Sequence, residues 1–160
     1  MAELAYTVRP ARPDEARLLS DLALRSKAHW GYSAEFLAAV RNELSYRVEQ
    51  IESADMSFTV LEVDGAPVGF YALKLLTATE VELDSLFVEP HFIGRGLGRK
   101  LIEHAKLAAT GLGARRMIIQ GDPNATAFYV AAGGVLTGTR ESGSIPGRLL
   151  PTFAIELASE

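Results

Sequence analysis

Apolar residues in strand-like runs, partly alternating with polar ones, mark three consecutive segments in the middle of the chain. The segments are SFTVLEV (57–63), PVGFYALKLL (67–76) and EVELDSLFV (80–88), and such short runs are typical of β-strands. Asp64-Gly65, between the first two segments, is a frequent two-residue hairpin turn. The pattern therefore predicts three successive strands, the first two of which form a β-hairpin.

Apolar residues three and four positions apart predict helices before and after these strands. The first helix begins at Pro13 and has an apolar face of Leu18, Leu19, Leu22 and Ala23. The second begins after Ser33, a good N-cap, and carries Phe36, Leu37, Val40 and Leu44. A third helix is expected from about Gly98 to Leu112, with Leu101, Ala105, Ala108 and Leu112 on one face, and a fourth over 124–134.

Shorter apolar runs complete the predicted strands, at Tyr6–Arg9, 115–120, Val135–Thr139 and Pro151–Leu157. The order is strand, two helices, three strands, helix, strand, helix and two strands. It predicts one α/β (α+β) domain over residues 3–158. Its mixed sheet of about seven strands is expected to be mostly antiparallel, with one parallel pair, and flanked by helices.

Composition and charge narrow the classes of function. The 160 residues are 48% hydrophobic and 22% charged, as in soluble globular proteins, and no apolar run approaches the roughly 20 residues of a membrane span. The N-terminus lacks the basic-then-apolar order of a signal peptide, so we expect a cytoplasmic protein. The absence of cysteine and three scattered histidines predict no metal site. A net charge of −4 argues against nucleic acid as a partner.

Three glycines stand at alternate positions where the third predicted strand is followed by a helix, in FIGRGLGRKL (92–101). Glycine lets the backbone N–H groups of a helix start approach a bound anion, which the helix dipole also attracts. Gly94, Gly96 and Gly98, with Arg95 and Arg99 between and after them, therefore predict a phosphate or pyrophosphate site. The alternatives are a tight turn that only needs glycine and a solvated basic helix start. Neither GxxxxGK[ST] nor GxGxxG fits the segment.

The wider segment VEPHFIGRGLGRKLI (88–102) resembles motif A of the GNAT superfamily of acyl-CoA-dependent N-acyltransferases. DPNATAFYVAAGG (122–134) resembles a second segment of that family, N-x-x-A-x-x-F-Y-x-x-x-G. The order of predicted elements also agrees with the GNAT fold, in which two neighbouring strands splay apart. Two positions depart from the family pattern, because Ile93 replaces a Gln or Arg and Gly134 replaces an aromatic residue.

The resemblance implies an enzyme that moves an acetyl group from acetyl-CoA, as co-substrate, to an amine of a small molecule or peptide. Main-chain groups of Phe87 and Val88 would hold the pantetheine, Asn124 would contact it, and Tyr129 would lie beside its sulfur. The pyrophosphate would bind at the loop that begins with Ile93, through Gly94, Arg95, Gly96, Leu97, Gly98 and Arg99. A homodimer is also expected, because the family often forms one.

Acetyl transfer needs a base for the attacking amine and an acid for the departing sulfur. Tyr129 is the predicted acid, and the alternative is a helix tyrosine that only packs beside Phe128. Glu80, Glu82 and Asp84 lie on one side of their strand, where like charges raise at least one pKa. We rank them as base in that order and expect a bulge near Asp84. The three acids could equally attract a cationic amine substrate without taking its proton, or form a solvated face.

The acceptor pocket is expected between the first two helices and the late loop SGSIPGR (142–148). Its candidate residues are His29, Trp30, Tyr32 and Arg148, with the aromatic rings under a cation and the arginine facing a carboxylate. The alternatives are core packing for the rings and a surface position for the arginine. The residues also leave open a non-catalytic acyl-CoA sensor of the same fold and a nucleotide-binding regulator that uses the glycine loop.

Overall fold

Seven strands form a single mixed sheet in the computed structural model, which describes residues 4–157. The order across the sheet is β1-β2-β3-β4-β5-β7-β6, and every neighbouring pair is antiparallel except β4–β5. The strands are β1 (Thr7–Pro10), β2 (Met56–Val63), β3 (Ala66–Leu75), β4 (Glu80–Val88), β5 (Arg116–Gln120), β6 (Val135–Glu141) and β7 (Leu149–Glu156). The predicted α/β fold is therefore confirmed, whereas the predicted domain limits, 3 and 158, lie outside the described residues.

Five α-helices connect the strands within the described part of the chain. They are α1 (Ala16–Ala28), α2 (Ala34–Val40), α3 (Val48–Glu52), α4 (Leu97–Gly111) and α5 (Thr126–Ala131). The Ser33 hydroxyl accepts a hydrogen bond from the Phe36 amide, so the predicted N-cap of α2 is present. None of these helices is long and apolar enough to cross a lipid bilayer.

Three details of the predicted helices are wrong. Helix α2 ends at Val40, and Leu44 is buried from the turn that follows rather than from the helix. Leu18 and Leu112 were expected on apolar faces but are 40% and 48% exposed. Helix α4 buries the predicted Leu101 and Ala105 together with Ile102, which was not predicted. The short helix α3 was not predicted at all.

The sheet has a hydrophobic core on each face, and β3 contributes to both. Tyr71 belongs to the core that includes Leu101 of α4, whereas Phe70 belongs to the core that includes Leu22 of α1 and Val40 of α2. Successive strand residues point to opposite faces, and all five side chains are fully buried. Helix α4 therefore covers one face of the sheet, and α1 and α2 cover the other.

Strands β4 and β5 are paired only where they begin. The parallel register runs from Glu80 opposite Arg116 to Glu82 opposite Ile118 and then stops, although β4 continues to Val88. On its other side β4 carries a bulge, because Leu83 and Ser85 pair with consecutive residues of β3 and leave Asp84 as the extra residue. The sheet therefore splays open at this point, and the predicted bulge is at Asp84.

Candidate active site

A cavity of about 550 Å³ opens where β4 and β5 separate. It is lined by β4 from Glu82 to Val88, the residues just after β5, the glycine loop before α4, and the start of α5. Residues from α1 and from the loop before β7 complete the wall on the opposite side. The cavity therefore passes through the sheet and is bordered by elements from both of its faces.

The glycine loop presents backbone N–H groups that no other group of the described chain uses. Gly94 and Gly96 have φ angles of 85° and 82°, which only glycine adopts without strain. Within residues 4–157 nothing accepts from the amides of Gly94, Gly96, Leu97, Gly98 or Arg99, whereas the Arg95 amide donates to Phe92 O at 3.3 Å. A helix start with open donors is a ready anion site.

The third glycine of the motif serves packing rather than backbone conformation. A Cβ on Gly98 would lie 3.3 Å from the ring of Phe128, so glycine lets α4 approach α5 closely. The loop's other side chains differ in position: Leu97 is buried, Arg99 lines the main cavity, and Arg95 lines a second cavity of about 300 Å³ next to it. Ile93 lines the main cavity and is 40% exposed.

Tyr129 lies on the cavity wall with its ring packed into the core. The ring contacts Phe128 and Phe153, with centroids 5.2 and 5.5 Å away, and burial raises the pKa of the hydroxyl to about 12. No side chain or backbone group of the described part of the chain forms a hydrogen bond with this hydroxyl. Gly121, which the sequence analysis did not single out, makes room for the ring, because a Cβ there would lie 2.8 Å from Tyr129 Cε2.

The acidic residues of β4 do not share one environment. Glu82 and Asp84 line the cavity, but Glu80, the first choice from the sequence, lies at the paired start of the strand opposite Arg116 and does not line it. Burial first, and then the charge of Asp84, raise the pKa of Glu82. The Ser85 hydroxyl donates to Asp84 Oδ2 at 3.3 Å and lies 2.6 Å from Tyr46 Oη.

Opposite these acids lies a group of five hydrogen-bonded or ion-paired side chains, here called the basic wall: Lys27, Tyr32, Asp122, Asn124 and Arg148. Four of them line the cavity, whereas Tyr32 does not. The Tyr32 hydroxyl donates to Asp122, and accepts from Asn124 Nδ2 and Arg148 Nη2 at 2.9 Å each. Lys27 Nζ lies 2.6 Å from Asp122 Oδ2. Asn124, predicted on the CoA arm, therefore lines the cavity with its amide bonded to Tyr32 and Asp122.

Two members of the basic wall, Lys27 and Asp122, were missed in the sequence. Asp122 precedes Pro123 and accepts from the Asn124 amide, so the Asp-Pro-Asn run was a usable signal for a capping aspartate. Burial alone would raise the pKa of Asp122, but the hydrogen bonds from Lys27 and from the Asn124 amide bring it below its usual value. Burial and the bond to Asp122 raise the pKa of Tyr32 to about 12.

The remaining aromatic candidates divide between the cavity and the surface. Trp30 lines the cavity and is 47% exposed, whereas His29 contacts the Trp30 ring from outside the cavity lining. The Tyr32 ring stacks on Phe36 with centroids 3.9 Å apart. Lys27 and Arg148 lie over its face at 5.5 and 5.4 Å, so cations of the protein itself lie over the Tyr32 ring.

Residues 23–133 match the model of the Acetyltransferase (GNAT) family. The chain belongs to this family. A peptidyl-lysine N-acetyltransferase, YjaB, of Salmonella typhimurium is 32% identical to it over 140 residues, which are 86% of this chain and 89% of that protein. The predictions of a GNAT family member and of an acetyltransferase are therefore confirmed.

Solved GNAT structures have the same fold across almost the whole chain. A GCN5-related N-acetyltransferase from Rhodopseudomonas palustris superposes with a TM-score of 0.80 at 22% identity, covering 98% of this chain and 99% of that one. The PaiA N-acetyltransferase of Thermoplasma acidophilum, solved with coenzyme A, gives a TM-score of 0.77 at 19% identity, with 96% and 99% covered. At these identities the likeness establishes the fold, including the seven-stranded GNAT sheet.

Proposed function

We propose that this protein transfers the acetyl group of acetyl-CoA to an amine of a small molecule or peptide by direct attack of the amine on the thioester. One observation carries the proposal. The pairing of β4 with β5 stops at Glu82 and Ile118, and the gap that follows lies beside the open amides of residues 94 and 96–99. A diphosphate bound at those amides would direct its thioester end into the gap.

The donor is held mainly by backbone groups in this proposal. The amides of the glycine loop bind the pyrophosphate, with Arg99 as an added cation. Ile93 adds no donor, because its side chain is apolar and its amide donates to Pro90 O at 3.2 Å. The unpaired edge of β4 at Phe87 and Val88 offers main-chain groups to the pantetheine amides. The second cavity, lined by Arg95 and Arg99, suits the nucleotide end of the same molecule.

Glu82 is the base we propose, ahead of Asp84 and Glu80. Typical amines are protonated at neutral pH, with a pKa near 10, so the amine must lose a proton before it attacks. A general base works best when its pKa lies near the working pH, and the pKa of Glu82 is raised toward that range. Asp84 is exposed and draws the cationic amine into the cavity. Glu80 lies outside the cavity lining and has no role here.

Tyr129 is the acid we propose. Its hydroxyl stays protonated at neutral pH because its pKa is about 12, and it faces the cavity without an internal partner. The hydroxyl donates its proton to the sulfur as the carbon–sulfur bond breaks, so that CoA leaves as a thiol rather than as a thiolate. Packing against Phe153 holds the ring, so its structural and chemical roles coexist.

Three further expectations belong to this proposal. The relative YjaB is named for acetylating peptidyl lysine, which supports a peptide amine as one acceptor class. A cytoplasmic location stays a prediction from the sequence, and cell fractionation tests it.

A homodimer also stays a prediction. The exposed apolar residues Val135 and Leu136 at the start of edge strand β6, 68% and 59% exposed, support it, and the molar mass in solution tests it.

The deciding experiment follows thiol release when the purified protein is mixed with acetyl-CoA and a panel of amines. The panel holds polyamines, free amino acids and lysine peptides, each measured against a reaction without acceptor. The proposal is supported if thiol release depends on the acceptor and if one acetylated product forms for each thiol released. Binding of CoA with no acetylated product from any amine would indicate the acyl-CoA sensor. Binding of ATP in competition with CoA would indicate the nucleotide-binding regulator.

A further inference from the structure

The basic wall carries more positive charge than its own members neutralise. Lys27 and Arg148 both face Asp122, with nitrogen–oxygen distances of 2.6 and 3.8 Å. Two cations therefore face one carboxylate, which leaves one positive charge in excess on the cavity wall. All three side chains are largely buried, at 12%, 18% and 10% exposure, so this charge is poorly screened by bulk water.

Arg148 still has unused hydrogen-bond donors. Only its Nη2 donates to a described protein group, the Tyr32 hydroxyl at 2.9 Å, and the guanidinium has five N–H donors in a planar fork. Its position is held by the ring of Phe36, 4.7 Å from the guanidinium carbon, and by that of Tyr32 at 5.4 Å. An arginine that packs against two rings and has free N–H groups on a cavity wall suits a carboxylate.

The basic wall is separate from the phosphate site. Lys27 is on α1, Tyr32 lies between α1 and α2, and these helices cover the face of the sheet opposite to α4. The glycine loop begins α4. The phosphates of the donor therefore bind at one face, and the excess charge of the basic wall faces the acceptor at the other.

The cavity has an acidic side as well, formed by Glu82 and Asp84 with Glu43. A positively charged or freshly deprotonated amine fits there, whereas an anion fits at Arg148. We propose that the acceptor carries a carboxylate together with its amine, so that Arg148 binds the carboxylate while the amine lies beside Glu82. This inference rests on the proposed acetyl transfer and names the chemical class of its acceptor.

Two kinds of acceptor carry both groups, a free amino acid and a peptide whose amine lies near a carboxylate. Pairs of compounds that differ only in the carboxylate distinguish them. Free amino acids are compared with their carboxamides, and short peptides with a free C-terminus are compared with the same peptides amidated. Acetyl-CoA is saturating, and kcat/KM is measured for each acceptor by thiol release with identification of the acetylated product.

We expect each preferred acceptor to exceed its amide by about 10- to 100-fold in kcat/KM, the range of a charge-assisted hydrogen bond. Arg148→Met should reduce that ratio to near one while the KM for acetyl-CoA is unchanged. Arg148→Lys, which keeps the charge without the fork, should give an intermediate ratio. Arg17→Met, at an exposed arginine of α1, is the control and should keep the full preference.

A second readout does not require turnover. Calorimetry on the protein saturated with CoA should show tighter binding of the carboxylate compounds than of their amides, and Arg148→Met should remove the difference. Equal or better acetylation of the amides by the unaltered protein would overturn the inference while leaving acetyl transfer intact. Absence of any acetylated product would contradict the proposed function. In that case calorimetry still tests the inference, and equal binding of the carboxylate compounds and their amides would overturn it.

Discussion

Two carboxylates on β4 have different environments although they are two residues apart. Glu82 is half-buried beside the gap in the sheet, and burial and the charge of Asp84 raise its pKa. Asp84 is the extra residue of the bulge and is exposed. A carboxylate with a raised pKa accepts a proton more readily at neutral pH than one with an ordinary pKa. We therefore expect Asp84 to attract the cationic amine and Glu82 to deprotonate it.

The first prediction concerns this pair. A base acts only when it is unprotonated, so kcat/KM should fall as the pH drops through the pKa of Glu82. Asp84→Asn removes a negative neighbour and lowers that pKa, which should move the acidic limb of the pH–rate profile toward lower pH. Asp21→Asn, at an exposed acid of α1, should leave the limb in place. An unchanged limb in Asp84→Asn, or a normal profile in Glu82→Gln, would contradict Glu82 as the base.

Tyr129 is the subject of the second prediction. Tyr129→Phe keeps the ring that packs against Phe128 and Phe153 but removes the proton donor, so kcat should drop roughly 100-fold or more. The KM for acetyl-CoA should change little, since the hydroxyl is proposed to act on the leaving sulfur. Tyr71→Phe, at a buried tyrosine outside the cavity, is the control and should retain turnover. Turnover of Tyr129→Phe at the level of that control would remove the acid role.

For individual residues, the sequence was a better guide to which side chains are candidates for catalysis than to their positions in the structure. Alternation along β4 was enough to place Glu80 and Glu82 on one side of the strand. It could not show that the pairing of β4 with β5 begins at Glu80 and ends at Glu82, so that only Glu82 lines the cavity. That difference depends on contacts with a strand distant in the sequence. Lys27 was missed for the same reason, since its partner Asp122 is 95 residues away in the chain.

Among the elements, α4 and α5 set the shape of the donor site, and glycines decide how closely they approach each other and the sheet. Their existence was predictable from apolar periodicity and the glycine motif. The five residues of α3 were not, because one helical turn holds too few apolar positions to show a period. The end of α4 was placed within one residue, but Leu112 caps the helix and points to solvent.

The third prediction tests this packing at Gly134, a position where family members commonly have an aromatic residue. A Cβ there would lie 2.7 Å from Tyr129 O and 3.4 Å from Phe153 Cβ. Gly134→Ala should therefore destabilise the protein by roughly 1–3 kcal/mol. Gly111→Ala, in the last turn of α4 with no atom within 4 Å, should instead stabilise it by roughly 0.5–1 kcal/mol. Denaturant unfolding of both variants measures these changes, and equal stability would refute the packing account.

In the molecule as a whole, β4 and β5 are paired where they begin and separate where they end, which opens the sheet. The two sides of this opening carry different charged and polar groups. Unpaired amides and arginines border it next to α4, whereas the basic wall borders it next to α1. The family fold accounts for the opening. The side chains that line the acceptor side come from α1, the α1–α2 loop, β4, the residues after β5 and the loop before β7, and this assembly required the structure.

The last prediction uses the stability of the whole protein to report donor binding. CoA at 100 times its Kd should stabilise the folded state by about 2.7 kcal/mol, which corresponds to a rise in Tm of roughly 5–10 °C for a chain of this size. Gly96→Val should abolish the rise, because a branched side chain would project into open space where no protein atom lies within 4 Å and would block approach of the diphosphate to the amides.

The matched control is Gly65→Val, in the hairpin turn between β2 and β3. Gly65 has a φ of 78° against 82° at Gly96, and it too has no atom within 4 Å, so the substitution carries similar backbone strain away from the cavity. Both variants should unfold at lower temperature than the unaltered protein without CoA, but only Gly65→Val should keep the rise when CoA is added. A full CoA-induced rise in Gly96→Val would show that the diphosphate binds elsewhere, and the roles proposed for Tyr129 and Glu82 would then lose their geometric basis.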